Sequence, residues 1–302
     1  MHIYLPIAEL PVNVLALLLL GGVAGLLSGM FGVGGGFIMT PFLIFMGVPP
    51  SVAVASSSNQ IIAASVSGFL AHWRRQNVDF LIGKHLLAGG LIGASLGVWL
   101  FAHLKGAGHL DLVISLCYVF FLGGVGVLMA MESARTILHV KPAAPKPSTL
   151  KARLERLPLQ REYSRSNIKV SALLPLGVGV LSGALVSLMG IGGGFILIPA
   201  MIYLLGMPTS LAIGTSLFQI IFITSHVTFL QAVTTQSVDI VLSLLLLAGA
   251  VVGAQIGTRY ASRLPAEHLR AMLALLVLAV SLKLAAGLFI RPADVFSLAV
   301  AP

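Results

Sequence analysis

The stretch Gly25–Pro49, GLLSGMFGVGGGFIMTPFLIFMGVP, decides the fold because a related stretch, Gly179–Pro208, reads GVLSGALVSLMGIGGGFILIPAMIYLLGMP. Gly36 matches Gly194 at an offset of 158 positions. Matches that persist along the chain at nearly constant spacing indicate a duplicated module. Further pairs at offsets of 158 to 160 are Pro41 with Pro199, Pro49 with Pro208, Gln60 with Gln219, Asp79 with Asp239, Gly93 with Gly253 and Gly97 with Gly257.

The composition of the chain indicates an integral membrane protein. Of its 302 residues, 58% are hydrophobic and 9% are charged, whereas about a quarter of the residues in a soluble domain are charged. The length suffices for about ten membrane segments of ~20 residues each. Half of the 18 Lys and Arg residues lie in one segment, residues 132–170. The rest of the chain is therefore too poor in positive charge to suggest nucleic acid as a partner. Cys117 is the only cysteine, so an intramolecular disulfide and a cysteine-cluster metal site are excluded.

The matches divide the chain into three parts. We predict a first transmembrane repeat over residues 1–131, a basic linker over 132–170 and a second transmembrane repeat over 171–302. Each repeat contains five apolar segments. They are 12–30, 35–48, 51–71, 85–104 and 110–131 in the first repeat, and 171–189, 194–206, 209–230, 240–258 and 269–290 in the second.

The glycines interrupt the first apolar run of each repeat. Residues 12–48 are too many for one crossing, because a helix rises ~1.5 Å per residue through ~30 Å of hydrocarbon. Gly32, Gly34, Gly35 and Gly36 would weaken a continuous helix at its middle. The sequence therefore predicts an all-α membrane fold in which the first segment of each repeat breaks at a Gly-rich motif. A short or re-entrant helix follows each break.

The distribution of basic residues sets the predicted orientation. With five segments per repeat the second repeat is inverted, and both 72–84 and 259–270 fall on the side of the basic linker. Basic loops near segment ends favour the cytoplasm. We therefore predict two inverted repeats with a cytoplasmic linker and both termini outside.

Both repeats carry the same sequence of features that suit an anion. The motifs GVGGGF (Gly32–Phe37) and GIGGGF (Gly190–Phe195) leave backbone N–H groups unshielded at the start of a helix, where the helix dipole favours negative charge. The helix that follows in each repeat carries polar side chains at membrane depth. The predicted substrate-binding residues are Gly34, Gly35, Gly36, Ser57, Ser58, Asn59 and Gln60 in the first repeat, and Gly192, Gly193, Gly194, Thr215, Ser216 and Gln219 in the second.

A purely structural interpretation is also open for these residues. Glycine runs often allow close helix packing, and Ser or Thr often bonds to its own helix. Repetition of the combination in both halves favours a binding site at the interface of the repeats, near the membrane midplane.

The motif GxGGGF-x(3)-P, present twice and each time followed by a G-x-P turn and a polar helix, resembles the TauE/SafE sulfite exporter family. The resemblance covers nearly the whole chain except the basic linker and the termini. It implies a transporter in the bacterial cytoplasmic membrane that exports a small inorganic or organic sulfur oxyanion, such as sulfite or an organosulfonate. No cofactor is expected, and a homodimer is left open.

Other ionisable residues have competing interpretations. His226 is a candidate for proton coupling because an ionisable residue within the membrane often has a functional role, although a neutral His bonded to a neighbouring helix is the alternative. Lys283 has length enough to reach the membrane surface. Asp79 and Asp239 precede equivalent helices, where we expect them to act as N-caps.

The competing functional class is an intramembrane enzyme or assembly factor that acts on a sulfur compound or a lipid. The chain has no HExxH, GxSxG or Walker motif and only nine acidic residues. His226 beside Ser225 and Thr224 offers the one weak pairing of a base with a nucleophile. A transporter that is not an enzyme is therefore the preferred prediction.

Overall fold

The structure is a computed structural model, and it describes residues 2–31, 35–137, 158–261 and 266–289. This part of the chain is helical apart from two short β-hairpins, as the sequence predicts for an all-α membrane protein. The helices are α1 (Val14–Phe31), α2 (Gly36–Phe45), α3 (Pro50–Arg74), α4 (Phe80–Gly106), α5 (Leu110–Ile137), α6 (Leu173–Met189), α7 (Gly194–Tyr203), α8 (Thr209–Thr234), α9 (Ile240–Ala261) and α10 (Ala266–Phe289).

Four of the described helices are long and apolar enough to cross a membrane. They are α4, α8 and parts of α5 and α9, and the judgement rests on length and composition. Helices α1, α2, α6 and α7 are shorter but apolar. Helix α3 has 25 residues and carries the polar run around Ser57, which lowers its hydropathy. The protein is a multi-pass membrane protein.

Each half begins with a β-hairpin that the sequence did not lead us to expect. In the first hairpin β1 (His2–Leu5) pairs with β2 (Leu10–Asn13), and in the second β3 (Gln160–Tyr163) pairs with β4 (Ile168–Ser171). The two hairpins are 158 positions apart, like the glycine motifs that follow them. Strands of four residues are too short to show a clear alternation. The last residues of the predicted linker thus form the start of the second structural repeat.

Helices α4 and α9 start at the two aspartates that the sequence predicts as N-caps. Asp79 Oδ1 accepts hydrogen bonds from the backbone N–H groups of Leu81 and Ile82, at 3.0 and 3.2 Å. Asp239 Oδ1 accepts from the N–H of Leu242 at 3.1 Å. The cap starts α4 at Phe80, five residues before the predicted segment.

Two compact units divide the chain. Helices α5, from Leu112 onward, and α10 belong to the second unit, and the other helices with both hairpins belong to the first. Within the second unit the Ser281 hydroxyl donates to the carbonyl of Val119 at 3.2 Å. Gly126 of α5 faces Leu278 of α10: a Cβ added at Gly126 would lie 3.1 Å from the Leu278 side chain. These contacts pack α10 directly on α5.

In the first unit, the short helix of each half returns toward the end from which the preceding helix begins. Leu43 and Val48, at the end of α2, share a buried cluster with Leu5, Val12 and Leu17 at the start of α1. In the second half, Leu205 and Met207 after α7 share a cluster with Tyr163 of the second hairpin, against which Leu174 of α6 packs. Each short helix therefore folds back along the helix before it: α2 along α1, and α7 along α6.

Equivalent helices of the two halves run in opposite directions. Thr215, at the start of α8, accepts a hydrogen bond from the N–H of Asp79, which follows the end of α3. Farther along, a Cβ added at Gly68 of α3 would lie 3.0 Å from Leu217 of α8. Successive residues of α8 therefore contact residues progressively closer to the start of α3. These two matched helices are antiparallel.

Glycines allow the first helix of each half to pack closely on the fourth helix of the other half. A Cβ added at Gly93 of α4 would lie 2.0 Å from the carbonyl oxygen of Val180 in α6. A Cβ added at the matching Gly253 of α9 would lie 1.9 Å from the carbonyl oxygen of Gly22 in α1. Small residues four positions apart are typical of close helix packing in membranes. The purely structural interpretation of glycine thus applies to these positions.

Candidate functional site

The two glycine breaks meet inside the first unit. A Cβ added at Gly36, the first residue of α2, would lie 2.5 Å from the carbonyl oxygen of Gly190. The rings of Phe37 and Phe195, each the second residue of its short helix, stack with centroids 5.2 Å apart. The N-termini of α2 and α7 therefore lie side by side at the contact between the two halves.

Both short helices begin at a glycine in the left-handed conformation. Gly35 has φ of 65° and Gly193 has φ of 77°, and neither helix has a side-chain cap at its N-terminus. The first N–H groups of a helix have no partner within the helix, and the helix dipole adds partial positive charge at the same end. Two uncapped N-termini at one place favour a small anion. Gly34, which we also predicted here, lies outside the described residues.

Most of the polar run of α3 is engaged in hydrogen bonds that hold the fold together. The Ser57 and Thr40 hydroxyls are 2.8 Å apart, which ties α3 to α2. Ser56 accepts from the N–H of Asp239 at 2.9 Å, and Asn59 donates to Ser243 at 3.1 Å. Ser58 donates to the carbonyl of Val54 within its own helix.

Gln60 differs from its polar neighbours. Its side chain is fully buried, at 0% exposure, and neither Nε2 nor Oε1 has a hydrogen-bond partner in the described part of the chain. The next residue, Ile61, packs on both glycine breaks. A Cβ added at Gly36 would lie 2.3 Å from the Ile61 side chain, and a Cβ added at Gly192 would lie 2.7 Å from it. Gln60 is therefore one residue from the point where α3 touches both glycine breaks. An unpaired buried carboxamide is costly unless a ligand or water pairs with it.

The second polar helix is more completely paired. Thr215 accepts from the N–H of Asp79, and Ser216 donates to the carbonyl of Ile213 in its own helix. Gln219 donates through Nε2 to Ser182 of α6 at 3.1 Å, while its Oε1 has no partner among the described residues. The matched glutamines thus have different environments.

His226 lies apart from the glycine breaks. It is two helical turns beyond Gln219, or about 10 Å along α8, and its ring Nε2 is 2.9 Å from the Ser95 hydroxyl on α4. Ser225 and Thr224 donate to the carbonyls of Ile221 and Ile220 rather than to the imidazole. The pairing of base and nucleophile that an enzyme would need is not formed between these neighbours.

Two residues next to the site were not singled out from the sequence. Thr40 binds Ser57, and Ser182 binds Gln219. Thr40 is the one hydroxyl of α2, and α6 carries Ser182 and Ser187 among apolar residues. Their partners are 17 and 37 positions away, so the sequence offered only isolated hydroxyls as a signal. No group of His, Cys, Asp and Glu in the described ranges is arranged to hold a metal ion.

Comparisons with known proteins agree with the sequence resemblance. The family model described as "Sulfite exporter TauE/SafE" matches residues 17–284. A probable membrane transporter protein, YjnA of Bacillus subtilis, is 29% identical over 273 residues, which cover 89% of this chain and 98% of that protein. A probable membrane transporter protein of Xylella fastidiosa is 28% identical, with 87% and 91% covered. No solved structure matches.

Proposed function

The chain belongs to the TauE/SafE sulfite exporter family, and we propose that it exports a small sulfur-containing anion, sulfite or an organosulfonate, across a bacterial cytoplasmic membrane. One observation carries the proposal: two helix N-termini without side-chain caps meet at Ile61, next to Gln60, whose buried carboxamide has no hydrogen-bond partner among the described residues. Backbone amides and neutral side chains can bind an anion without holding it as tightly as a Lys or Arg would, which suits release as well as capture.

The charges of the surrounding helices support an anion site built from dipoles. Helices α1, α2, α6 and α7 contain no Lys, Arg or His. In α3 the basic residues are His72 and Arg74 in the last turn, and α8 has His226. The positive potential near the glycine breaks therefore comes from helix N-termini, as in transporters with broken helices.

The proposed mechanism uses the opposite direction of the two halves. An anion held between the N-termini of α2 and α7 contacts both halves at once. Movement of one half against the other would break one set of contacts and expose the anion to the opposite side. His226 stays a prediction for proton coupling, as its pairing with Ser95 places it at a helix contact rather than beside the breaks.

The direct test is sulfite efflux from proteoliposomes that contain the purified protein, with sulfate and an organosulfonate as competitors. We expect saturable flux that an organosulfonate inhibits. We also expect Gln60→Ala and Gln219→Ala each to reduce flux at least several-fold without lowering expression, because each removes a buried hydrogen-bonding group. Ser225→Ala, whose hydroxyl bonds its own helix on an exposed face, is the control and should transport normally.

The outcomes separate the two functional classes. Normal flux in both glutamine variants would remove the polar helices from the site. Absence of flux under any imposed gradient of pH or voltage, for sulfite and for organosulfonates alike, would contradict export of sulfur anions. Chemical turnover of a sulfur compound by the protein in detergent, where no gradient exists, would favour an enzyme instead.

A further inference from the structure

The two matched glutamines differ in their hydrogen bonds within the described part of the chain. Ser182 of α6 accepts from Gln219 Nε2. In the first half, the position that matches Ser182 at the offset of 158 is Ala24 of α1. Alanine has no acceptor to offer. Within the described chain Gln60 has no partner at either end of its carboxamide, whereas Gln219 lacks one only at Oε1.

The orientation of the Gln219 amide follows from its partner. The Ser182 hydroxyl has one hydrogen, and it donates this hydrogen to the carbonyl of Gly179 at 2.9 Å. Towards Gln219 it therefore acts as the acceptor, so the atom that faces it is Nε2. Gln219 Oε1, an acceptor at a residue 1% exposed, is left without a donor in the described structure.

Free acceptors at a site for an anion constrain the ligand. An oxyanion that has lost every proton offers acceptors alone, so it can pair with Gln60 Nε2 but leaves the Oε1 atoms of Gln60 and Gln219 without a donor. A ligand that carries a donor next to its charged oxygens satisfies both ends of the Gln60 carboxamide, through one bond received and one given. A single negative charge also suits the site, since no Lys or Arg lies on α1, α2, α6 or α7 to offset a second charge.

Along α3, Gln60 lies at the level of the N-terminus of α2. Ser57, one turn before it on α3, contacts Thr40 of α2. Ile61, directly after it, faces the position of Gly36 at the start of α2. The carboxamide is therefore level with the first turn of α2, where the uncapped N–H groups are.

We propose that Gln60 is the residue that selects a singly charged anion which still carries a hydrogen-bond donor, in preference to a fully deprotonated dianion. This inference rests on the proposed export of a sulfur anion and deepens it. For sulfite the recognised species is the hydrogen-carrying monoanion that predominates on the acidic side of neutral pH.

A pair of inhibitors with the same shape and charge tests the inference. Sulfamate and methanesulfonate are both monoanions with three sulfonyl oxygens, but sulfamate carries an NH₂ group where methanesulfonate carries a methyl group. We expect sulfamate to inhibit sulfite flux about five- to tenfold more strongly, as one additional hydrogen bond predicts. Sulfate, a dianion without a donor, should be the weakest of the three.

The matched variants are Gln60→Met and Gln219→Met. Gln60→Met removes both polar ends at nearly constant length, so it should abolish the preference for sulfamate. It should also raise the Tm of the ligand-free protein by a few degrees, because it removes a buried carboxamide that has no partner in the described part of the chain. Gln219→Met removes a group bonded to Ser182 and should not raise the Tm.

The outcomes distinguish this inference from the proposed function. Saturable sulfite flux with equal inhibition by sulfamate and methanesulfonate would overturn the role of Gln60 and leave sulfur-anion export standing. Absence of flux for sulfite and for organosulfonates alike would contradict the proposed function. In that case the thermal shift of wild-type protein by sulfamate against methanesulfonate still decides the inference, and equal shifts, or a lower Tm for Gln60→Met, would overturn it.

Discussion

Gly36 lies where α2, α3 and the second glycine break approach one another. A Cβ at this position would lie 2.3 Å from Ile61 Cδ1 and 2.5 Å from the carbonyl oxygen of Gly190. The Ile61 side chain can move aside, but the backbone carbonyl is fixed by the left-handed turn at Gly190, where φ is 65°. The close approach of the two halves at the site therefore depends on the absence of a side chain at Gly36.

We expect Gly36→Ala to lower the stability of the protein by about 1–3 kcal/mol, because overpacking forces the backbone apart. Thermal unfolding in detergent measures the effect, and sulfite flux should fall with it because the helix N-termini separate. Gly177→Ala on α6 is the matched control, since a Cβ there meets nothing within 4 Å. An unchanged Tm for Gly36→Ala would show that the breaks are farther apart than described.

At the scale of elements, each hairpin is fastened to an aspartate at the start of a long helix. Ser166, in the loop of the second hairpin, donates to Asp79 Oδ2 at 2.6 Å. In the first hairpin the N–H group of Ile7 donates to Asp239 Oδ2 at 3.0 Å. Each carboxylate therefore caps its helix with one oxygen and holds a hairpin with the other.

This double role predicts coupling between the hairpin and the helix. Asp79→Ala should cost about 1–2 kcal/mol as a lost cap, with a further loss from the freed hairpin. Ser166→Ala should cost about 1 kcal/mol. The double variant should cost less than the sum, by about 0.5 kcal/mol or more, because the two residues share one bond.

Thermal unfolding of the four proteins gives this coupling directly. Lys169→Ala on the same hairpin is the control. Its ion pair with Glu162 is largely exposed, with side-chain exposures of 62% and 75%, so its removal should leave the Tm unchanged. Strict additivity of Asp79→Ala and Ser166→Ala would contradict the shared hydrogen bond.

How much was predictable from the sequence depends on the range of the interaction. The breaks at Gly35 and Gly193 and the caps at Asp79 and Asp239 are local, and the sequence predicts their positions. The pairing of the polar helices is not local. Thr215 reads as a candidate ligand, yet it accepts a bond from a backbone group 136 positions away. Only the folded structure separates Gln60 from the hydroxyls around it.

At the scale of the whole molecule, the hydrogen bonds of the first unit assign its loops to two opposite ends. Residues 6–9, 46–49 and 235–239 lie at one end, where Asp239 bonds both the first hairpin and Ser56. Residues 75–79, 164–167 and 204–208 lie at the other end, where Asp79 bonds Ser166 and Thr215. Arg165 donates to the carbonyl of Gln76 at the second end. The hairpin that follows the basic linker therefore meets the basic loop 72–84.

This arrangement predicts from which side of the membrane each end is reached. Basic loops near segment ends favour the cytoplasm, so the end with Arg75 should be inside. Ala107, in the exposed turn after α4, lies at the other end, because Lys105 donates to the carbonyl of Thr235 at 2.8 Å. In a Cys117→Ser background, which removes the only cysteine, a membrane-impermeant maleimide should label Ala107→Cys in intact cells. Arg75→Cys should be labelled only after permeabilisation, with labelling of both in detergent as the control for reactivity.

Each alternative result of the labelling has a different meaning. Labelling of Arg75→Cys alone in intact cells would reverse the orientation and leave the opposite directions of the halves intact. Labelling of both positions from the same side would contradict the assignment of α4, which lies between them, as a helix that crosses the membrane.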